Sequence, residues 1–329
     1  MYFSVLPCYT EKTVGRFTAR QEGERKMYDL IIIGSGPAGL SAAIYAERAK
    51  LDAVTIEKEM MSGGQILNTY EVDNYPGLPG INGFDLGVKL REHAEGLGAH
   101  FIEDEVKAIG YEEGSVLVSG EKGFYEARTL IIASGAGHRK LGVPGEERLT
   151  GRGVGYCAVC DGALFRGKTV AVVGGGDVAL GDAVFLSRFC EKIWLIHRRN
   201  EFRGAKSLQE QVGRYPNVEV IWDTVVEEIL GEDRVESARL KNVKTGEERI
   251  LPLGGVFVAA GILPNSEFCL GVVEDQNGFL TAGEDCATSV PGIFAAGDVR
   301  TKALRQIVTA AADGANAVNS AEKYLREHS

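Results

Sequence analysis

The sequence predicts an α/β protein of two parallel-sheet units, one inserted into the other. Three observations carry that expectation. A strand, glycine turn and helix pattern occurs twice, an apolar strand-like run lies late in the chain, and 329 residues make about two domains of roughly 150 each. With 44% hydrophobic and 25% charged residues and 43 glycines, the chain reads as globular and rich in tight turns. A net charge of −10 offers no basic face for a phosphate backbone, so nucleic acid is not expected as a partner. The longest apolar runs, at 30–33 and 256–260, fall far short of the roughly 20 residues needed to span a bilayer, and no membrane segment is expected. Residues 1–26 lack the basic and apolar regions of a signal peptide. They are expected to be a flexible extension or a misassigned start on a cytoplasmic protein, because the first strand begins directly after them.

The first glycine turn is Gly34-Ser35-Gly36-Pro37-Ala38-Gly39, between the apolar run YDLIII and the helical pattern LSAAIYAERAK. Gly34 permits the tight turn, Gly36 lets a pyrophosphate approach the backbone, and Gly39 lets helix and strand pack closely, with the helix N-terminus facing the phosphates. The next strand, DAVTIE, ends at Glu57, 23 residues after Gly34, where an acid suits the hydroxyls of an adenosine ribose. This is the fingerprint of a Rossmann-like dinucleotide site.

The unit recurs as KTVAVV followed by Gly174-Gly175-Gly176-Asp177, a helix to about residue 189, and the strand KIWLIH. Its second strand ends at His197, again 23 residues from the first glycine, but delivers His197-Arg198-Arg199 with Arg203 close behind. Guanidinium groups suit a 2′-phosphate, so this site is expected to prefer NADP to NAD; the plainer alternative is a solvated basic stretch. Two sites of opposite ribose preference imply two dinucleotides, FAD at the first and NADPH at the second. The late segment ending in Gly297-Asp298 supports a flavin, since an acid there can bind a ribitol hydroxyl and the following helix N-terminus can stabilise negative charge. Alternatively, Asp298 caps that helix.

Of six cysteines, only Cys157 and Cys160 are a close pair. A Cys-x-x-Cys spacing in a cytosolic chain points to redox chemistry, with zinc as the competing reading, although no second pair or His-x-x-x-His accompanies it. No metal is expected. Cys8, Cys190, Cys269 and Cys286 read as inert small residues. Asp161 follows the pair and is a candidate general acid, or a turn residue.

From about residue 28 onward the chain resembles the low-molecular-weight, bacterial-type thioredoxin reductases, through GSGPAG, GGQ (63–65), EVDNYPG (71–77), ASGAGHRKLGVPGE, CAVCDG, GGGD, HRRNEFR and AAGDVRTKALRQIVTAAADGANA. The resemblance implies a cytosolic homodimer with FAD and NADPH that reduces thioredoxin or a thioredoxin-like protein. It also implies Lys58, Gly64, Gln65, Asn74, Val106, Ala133, Gly135, Asp298, Arg305, Gln306 and Ile307 as flavin-site positions. Cys157 and Cys160 become the redox disulfide, Cys157 attacking the substrate and Cys160 facing the flavin. Val178 and Gly181 depart from the family, which usually places a Ser and a Glu there. Other acceptors, such as a peroxiredoxin-linked or glutaredoxin-like carrier, remain alternatives, as does a non-catalytic flavin-binding redox sensor.

The expected domains are a discontinuous FAD unit, 27–138 and 253–329, and an NADPH unit, 139–252, that carries the cysteine pair. Gly- and Pro-rich crossings are expected near 141–153 and 251–255.

Overall fold

A computed structural model describes residues 26–69, 72, 74–112, 114–269 and 271–328. The expected extension at 1–26 therefore lies outside the described residues except for Lys26, as does Cys8. The chain divides into two compact units. Of the described residues, one takes in 26–67, Gly83–Gly137 and 263–328; the other takes in Asn68–Asn82 and His138–Ile262.

In the first unit, β1 (Met27–Ile33) leads into α1 (Pro37–Arg48) and β2 (Ala53–Glu57), and α2 (Gly83–Gly96) into β3 (His100–Glu103). A meander of β4 (Val106–Glu112), β5 (Ser115–Gly120) and β6 (Phe124–Ile132) follows. The sheet order is β3-β2-β1-β6-β5-β4. Pairing is parallel from β3 to β6 and antiparallel through the meander. Leu30, Ile31 and Ile32 are wholly buried, as expected of a continuous apolar strand in a parallel sheet covered on both faces. One face packs on α1 and on the last helix of the chain, and the other on the residues around Ile109, Val118 and Leu280.

The short strands β7 (Ala136–His138) and, later, β16 (Ile262–Pro264) lie where the chain passes between units. Within the second unit come β8 (Val154–Gly155), α3 (Ala158–Asp161), β9 (Thr169–Val173), α4 (Asp177–Leu186), β10 (Lys192–Ile196), α5 (Lys206–Val212) and β11 (Val218–Ile221). Then follow a meander, β12 (Thr224–Leu230), β13 (Ser237–Asn242) and β14 (Glu248–Pro252), and finally β15 (Gly255–Val258). Its parallel sheet has the order β11-β10-β9-β15-β8, beside the separate antiparallel β12-β13-β14. The repeat in the sequence is thus a repeat of architecture.

The observed units differ from the expected domains in two places, the first being residues 68–82, expected in the FAD unit but grouped with the second. The return crossing does not lie at 251–255, because Gly255–Val258 pairs with β9 in register Val256↔Ala171 and Phe257↔Val172, and the second unit runs on to Ile262. Back in the first unit, β17 (Asp275–Gln276) and β18 (Phe279–Leu280) form a small ribbon, β19 (Ile293–Ala295) pairs parallel with β6, and α6 (Ile307–Glu327) closes the chain. No helix among the described residues is long and apolar enough to cross a membrane.

Candidate functional site

The glycine turns separate internal packing from ligand binding. A Cβ on Gly39 would lie 1.8 Å from the Gly34 carbonyl oxygen, and one on Gly34, whose φ is +97°, would lie 2.6 Å from that of Ala133. These glycines close strand against helix. A Cβ on Gly36 would meet nothing nearer than 4.0 Å, and one on Gly176 would meet nothing at all within that range. Both residues sit at the N-caps of their helices, α1 and α4, and neither helix has a side-chain cap. Open space over uncapped amide groups is what a pyrophosphate requires.

In the first unit the Glu57 carboxylate accepts from Ser35 N (2.7 Å) and Ser35 Oγ (2.8 Å) on one oxygen and from Glu59 N (3.0 Å) on the other. It therefore braces the turn as well as facing its mouth. Gly63 N donates to Ser35 O (2.8 Å), which brings the Gly64-Gln65 loop to the same place. Gln65 Nε2 donates to Ala136 O, and Gly135, at φ +70°, accepts from Asn265 N (3.0 Å). Lys58 is exposed and pairs with Glu59, while Val106 opens β4 against the core. Asn74 falls on Asn68–Asn82 and so groups with the second unit rather than with the other flavin candidates.

Gly297-Asp298 stands after β19, as expected. The cap of α6 is Gln306, in a reciprocal arrangement with Thr309, and not Asp298. Asp298 Oδ1 is buried without a hydrogen-bond partner, and burial pushes its pKa up against the pull of Lys302 and Arg305. Arg305 donates to the carbonyls of Asp298, Lys302 and Arg300 and lies over the Phe279 ring, so it holds the loop that leads into Ile307.

Beneath that loop lies a group the sequence reading missed. The Asp313 carboxylate accepts from Arg300 through two bonds (2.7 and 2.8 Å), from Lys302 (2.8 Å) and from Gly297 N (2.9 Å). Both the Asp313 and the Lys302 side chains are only 6% exposed. Burial alone would raise the Asp313 pKa, but the bonds from Arg300 and Lys302 outweigh it and leave the group below the ordinary carboxylate range. Asp313→Asn strands two buried cations and is expected to cost about 3–5 kcal/mol, read as a lowered Tm; an unchanged Tm would contradict the pairing.

In the second unit the basic loop is tied back to the glycine turn. Arg203 N donates to Gly175 O (2.8 Å), and Ala205 N donates to Asp177 Oδ1 (2.7 Å). Asp177 thus holds the loop. Gly175 is glycine because its Cβ would fall 2.3 Å from the His197 ring. His197 Nε2 is buried and unpartnered; burial, joined by the neighbouring arginines and opposed by a backbone bond to Glu201, lowers its pKa. Its ring sits beside Phe202 and Trp222, with centroids 5.7 and 6.2 Å away. Arg198, Arg199 and Arg203 are exposed, and among the described residues none has an ion-pair partner. Val178 is exposed, and a Cβ on Gly181 would meet nothing within 4 Å, so both departures leave open surface on α4. Asp182, one residue on, is buried and its pKa is pushed up to about 7 by burial. The two unpartnered buried side-chain atoms among the described residues, Asp298 Oδ1 and His197 Nε2, stand one in each candidate nucleotide site. Buried polar atoms in folded proteins are normally bonded, so both fit sites completed by a ligand.

Cys157 and Cys160 form a disulfide at the head of α3. Cys160 N donates to Cys157 Sγ (3.2 Å). Among the described residues no group of three or more His, Cys, Asp or Glu could hold a metal. Asp161 has its carboxylate against Gly155, where a Cβ would lie 3.2 Å from Oδ2, and burial pushes its pKa up to about 6. The remaining described cysteines, Cys190, Cys269 and Cys286, are buried, with pKa values raised by burial to about 11, 12 and 12, which makes them poor nucleophiles.

Residues 28–314 match the pyridine nucleotide-disulphide oxidoreductase family. The chain belongs to that family. It is similar to the thioredoxin reductase of Listeria innocua, 46% identical over 307 residues that span 92% of this chain and 96% of the relative. It is also similar to that of Bacillus subtilis, 45% identical over 92% of this chain and 96% of the relative. Among solved structures, the thioredoxin reductase of Streptococcus pyogenes superposes with a TM-score of 0.87 at 45% identity, covering 92% of this chain and 99% of that one. That of Giardia duodenalis gives 0.86 at 35% identity, covering 92% and 100%. The family member described here is an oxidoreductase whose cofactors are FAD and NADPH.

Proposed function

We propose that the chain uses NADPH to reduce the disulfide of thioredoxin or a thioredoxin-like protein. The observation that carries this reading is the Cys157–Cys160 disulfide followed by the half-buried Asp161, in a chain that also has two ligand-ready glycine turns. The names of its relatives point the same way.

The first unit takes FAD, with the Gly36 amides on the pyrophosphate, Glu57 on the ribose and Asp298 on the ribitol chain. The second, through to Ile262, takes NADPH, with Gly176 on the pyrophosphate and Arg198, Arg199 and Arg203 on the 2′-phosphate. Bound there, the cofactors supply a hydride from NADPH and its relay through FAD as an electron pair to the disulfide. The Cys157–Cys160 bond takes up the electron pair and two protons and opens to two thiols, each of which loses its proton to water as it becomes the attacking thiolate. The Cys157 thiolate attacks one sulfur of the substrate disulfide, forming a mixed disulfide and expelling the other sulfur as a thiolate, which Asp161 protonates. The Cys160 thiolate then attacks Cys157 Sγ, restoring the intramolecular disulfide and releasing the reduced substrate. A homodimer in the cytoplasm completes the reading.

The rate of substrate reduction is expected to fall as pH rises from about 5 to about 7, and Asp161→Asn is expected to slow it about 10²-fold and to flatten that fall. Proton delivery needs the acid form, which predominates below a pKa of about 6 and is lost above it. An unchanged profile would remove Asp161 from the proton path.

The decisive assay follows a disulfide dye with NADPH, with and without added thioredoxin. Dye reduction that requires thioredoxin is expected. Dye reduction indifferent to thioredoxin would point to another carrier, and no NADPH oxidation with any acceptor would favour a redox sensor.

A further inference from the structure

Cys157 follows a two-residue strand. β8 pairs with β15 in register Val154↔Val256 and Gly155↔Phe257, and Val154 also bridges to Thr150. Tyr156, the residue between that strand and Cys157, is held by its side chain. Tyr156 donates its hydroxyl to Glu146 Oε1 (3.0 Å), and its ring stacks on that of His138 at 5.2 Å between centroids and 20° between planes.

Glu146 is 1% exposed, a position that a carboxylate tolerates only when its oxygens are bonded. Its other donors are Leu141 N (2.9 Å, on Oε1) and Gly142 N (2.8 Å, on Oε2). These residues lie just past the point where the chain passes into the second unit. The segment carrying Glu146 is itself docked, since Ile229 N on β12 donates to Pro144 O (2.9 Å) and a Cβ on Gly145 would lie 1.9 Å from Ile229 O. One buried carboxylate therefore joins the crossing segment, the body of the unit and the residue before the attacking cysteine.

We infer that Glu146 and Tyr156 are positioning residues for Cys157, a latch that fixes the redox pair to the crossing segment. The inference rests on the proposed function for the identity of the attacking thiol, but the constraint acts on the sulfur pair itself. Holding Cys157 in register with Cys160 raises the effective concentration of one thiol at the other, so the latch favours the intramolecular disulfide and aligns Cys157 for attack.

Tyr156→Phe keeps the ring on His138 and removes only the hydroxyl. In a glutathione buffer, oxidised glutathione and the dithiol exchange with two glutathione thiols and the Cys157–Cys160 disulfide. The equilibrium constant for closing the protein disulfide is expected to fall about tenfold in this variant, read from quenched mass spectra of the flavin-loaded full chain. Its thioredoxin-dependent kcat is expected to fall by a similar factor, while the rate of flavin reduction by NADPH and the KM for NADPH stay within about twofold of wild type. Glu146→Gln is expected to give the same split. An unchanged glutathione equilibrium in Tyr156→Phe overturns the latch, as does an equal fall in both half-reactions. A wild type that never reduces thioredoxin would instead defeat the functional reading, and the glutathione equilibrium would still decide the latch.

Discussion

Cys160→Ser is expected to lose NADPH-driven disulfide reduction by at least about 10³-fold while NADPH still bleaches the flavin at an undiminished rate. The hydroxyl that replaces the thiol neither ionises near neutral pH nor forms a bond to Cys157 Sγ. Electrons that reach the flavin then have no sulfur to enter. Among the described residues no other cysteine is suited to replace the pair, because Cys190, Cys269 and Cys286 are buried with raised pKa values. Cys157→Ser should behave alike toward thioredoxin. Absorbance of the bound flavin and oxidation of NADPH with thioredoxin separate the two half-reactions. Full turnover in either variant would mean that electrons leave by another route.

The second large effect is expected at the nucleotide. Replacing both Arg198 and Arg203 by Ala should lower the preference for NADPH over NADH about 10²-fold or more, measured as the ratio of kcat/KM for flavin reduction. Three exposed guanidinium groups with no ion-pair partner among the described residues are free to bind an anion. The substitution leaves the loop in place, because Arg203 is anchored through its backbone to Gly175 O and the loop through Ala205 N to Asp177. The loss should therefore fall on NADPH and spare NADH. A retained preference would show that the 2′-phosphate is read elsewhere.

Much of this was legible in the sequence because the signals are local. Apolar runs at β1 and β9 each lead into a glycine turn, and steric need fixes which glycines pack and which stay open. The return crossing was misplaced because its composition misleads. The stretch LPLGGVFV looks like a linker followed by a strand, and only the distant pairing of Val256 and Phe257 with β9 shows which sheet the strand joins. Asp313 lies in a long helix whose sequence pattern carries its own signal. Ala310, Asp313, Ala317 and Ala321 share the buried stripe of α6, so a charge on that face was itself a signal for a buried partner. Glu146, in a Pro-Gly-Glu turn, gave no such sign, since its burial depends on Tyr156 and on backbone amides that periodicity does not reveal. The disulfide stood out, whereas the residue that positions it did not.

The central claim is that nucleotide, flavin and sulfur pair form one electron path. Anaerobic titration of the purified, flavin-loaded protein with dithionite counts its redox groups. Uptake of about four electrons per chain is expected, two by the flavin and two by Cys157–Cys160, falling to about two in Cys160→Ser. Uptake of two electrons by the wild type, unchanged by the substitution, would contradict the account.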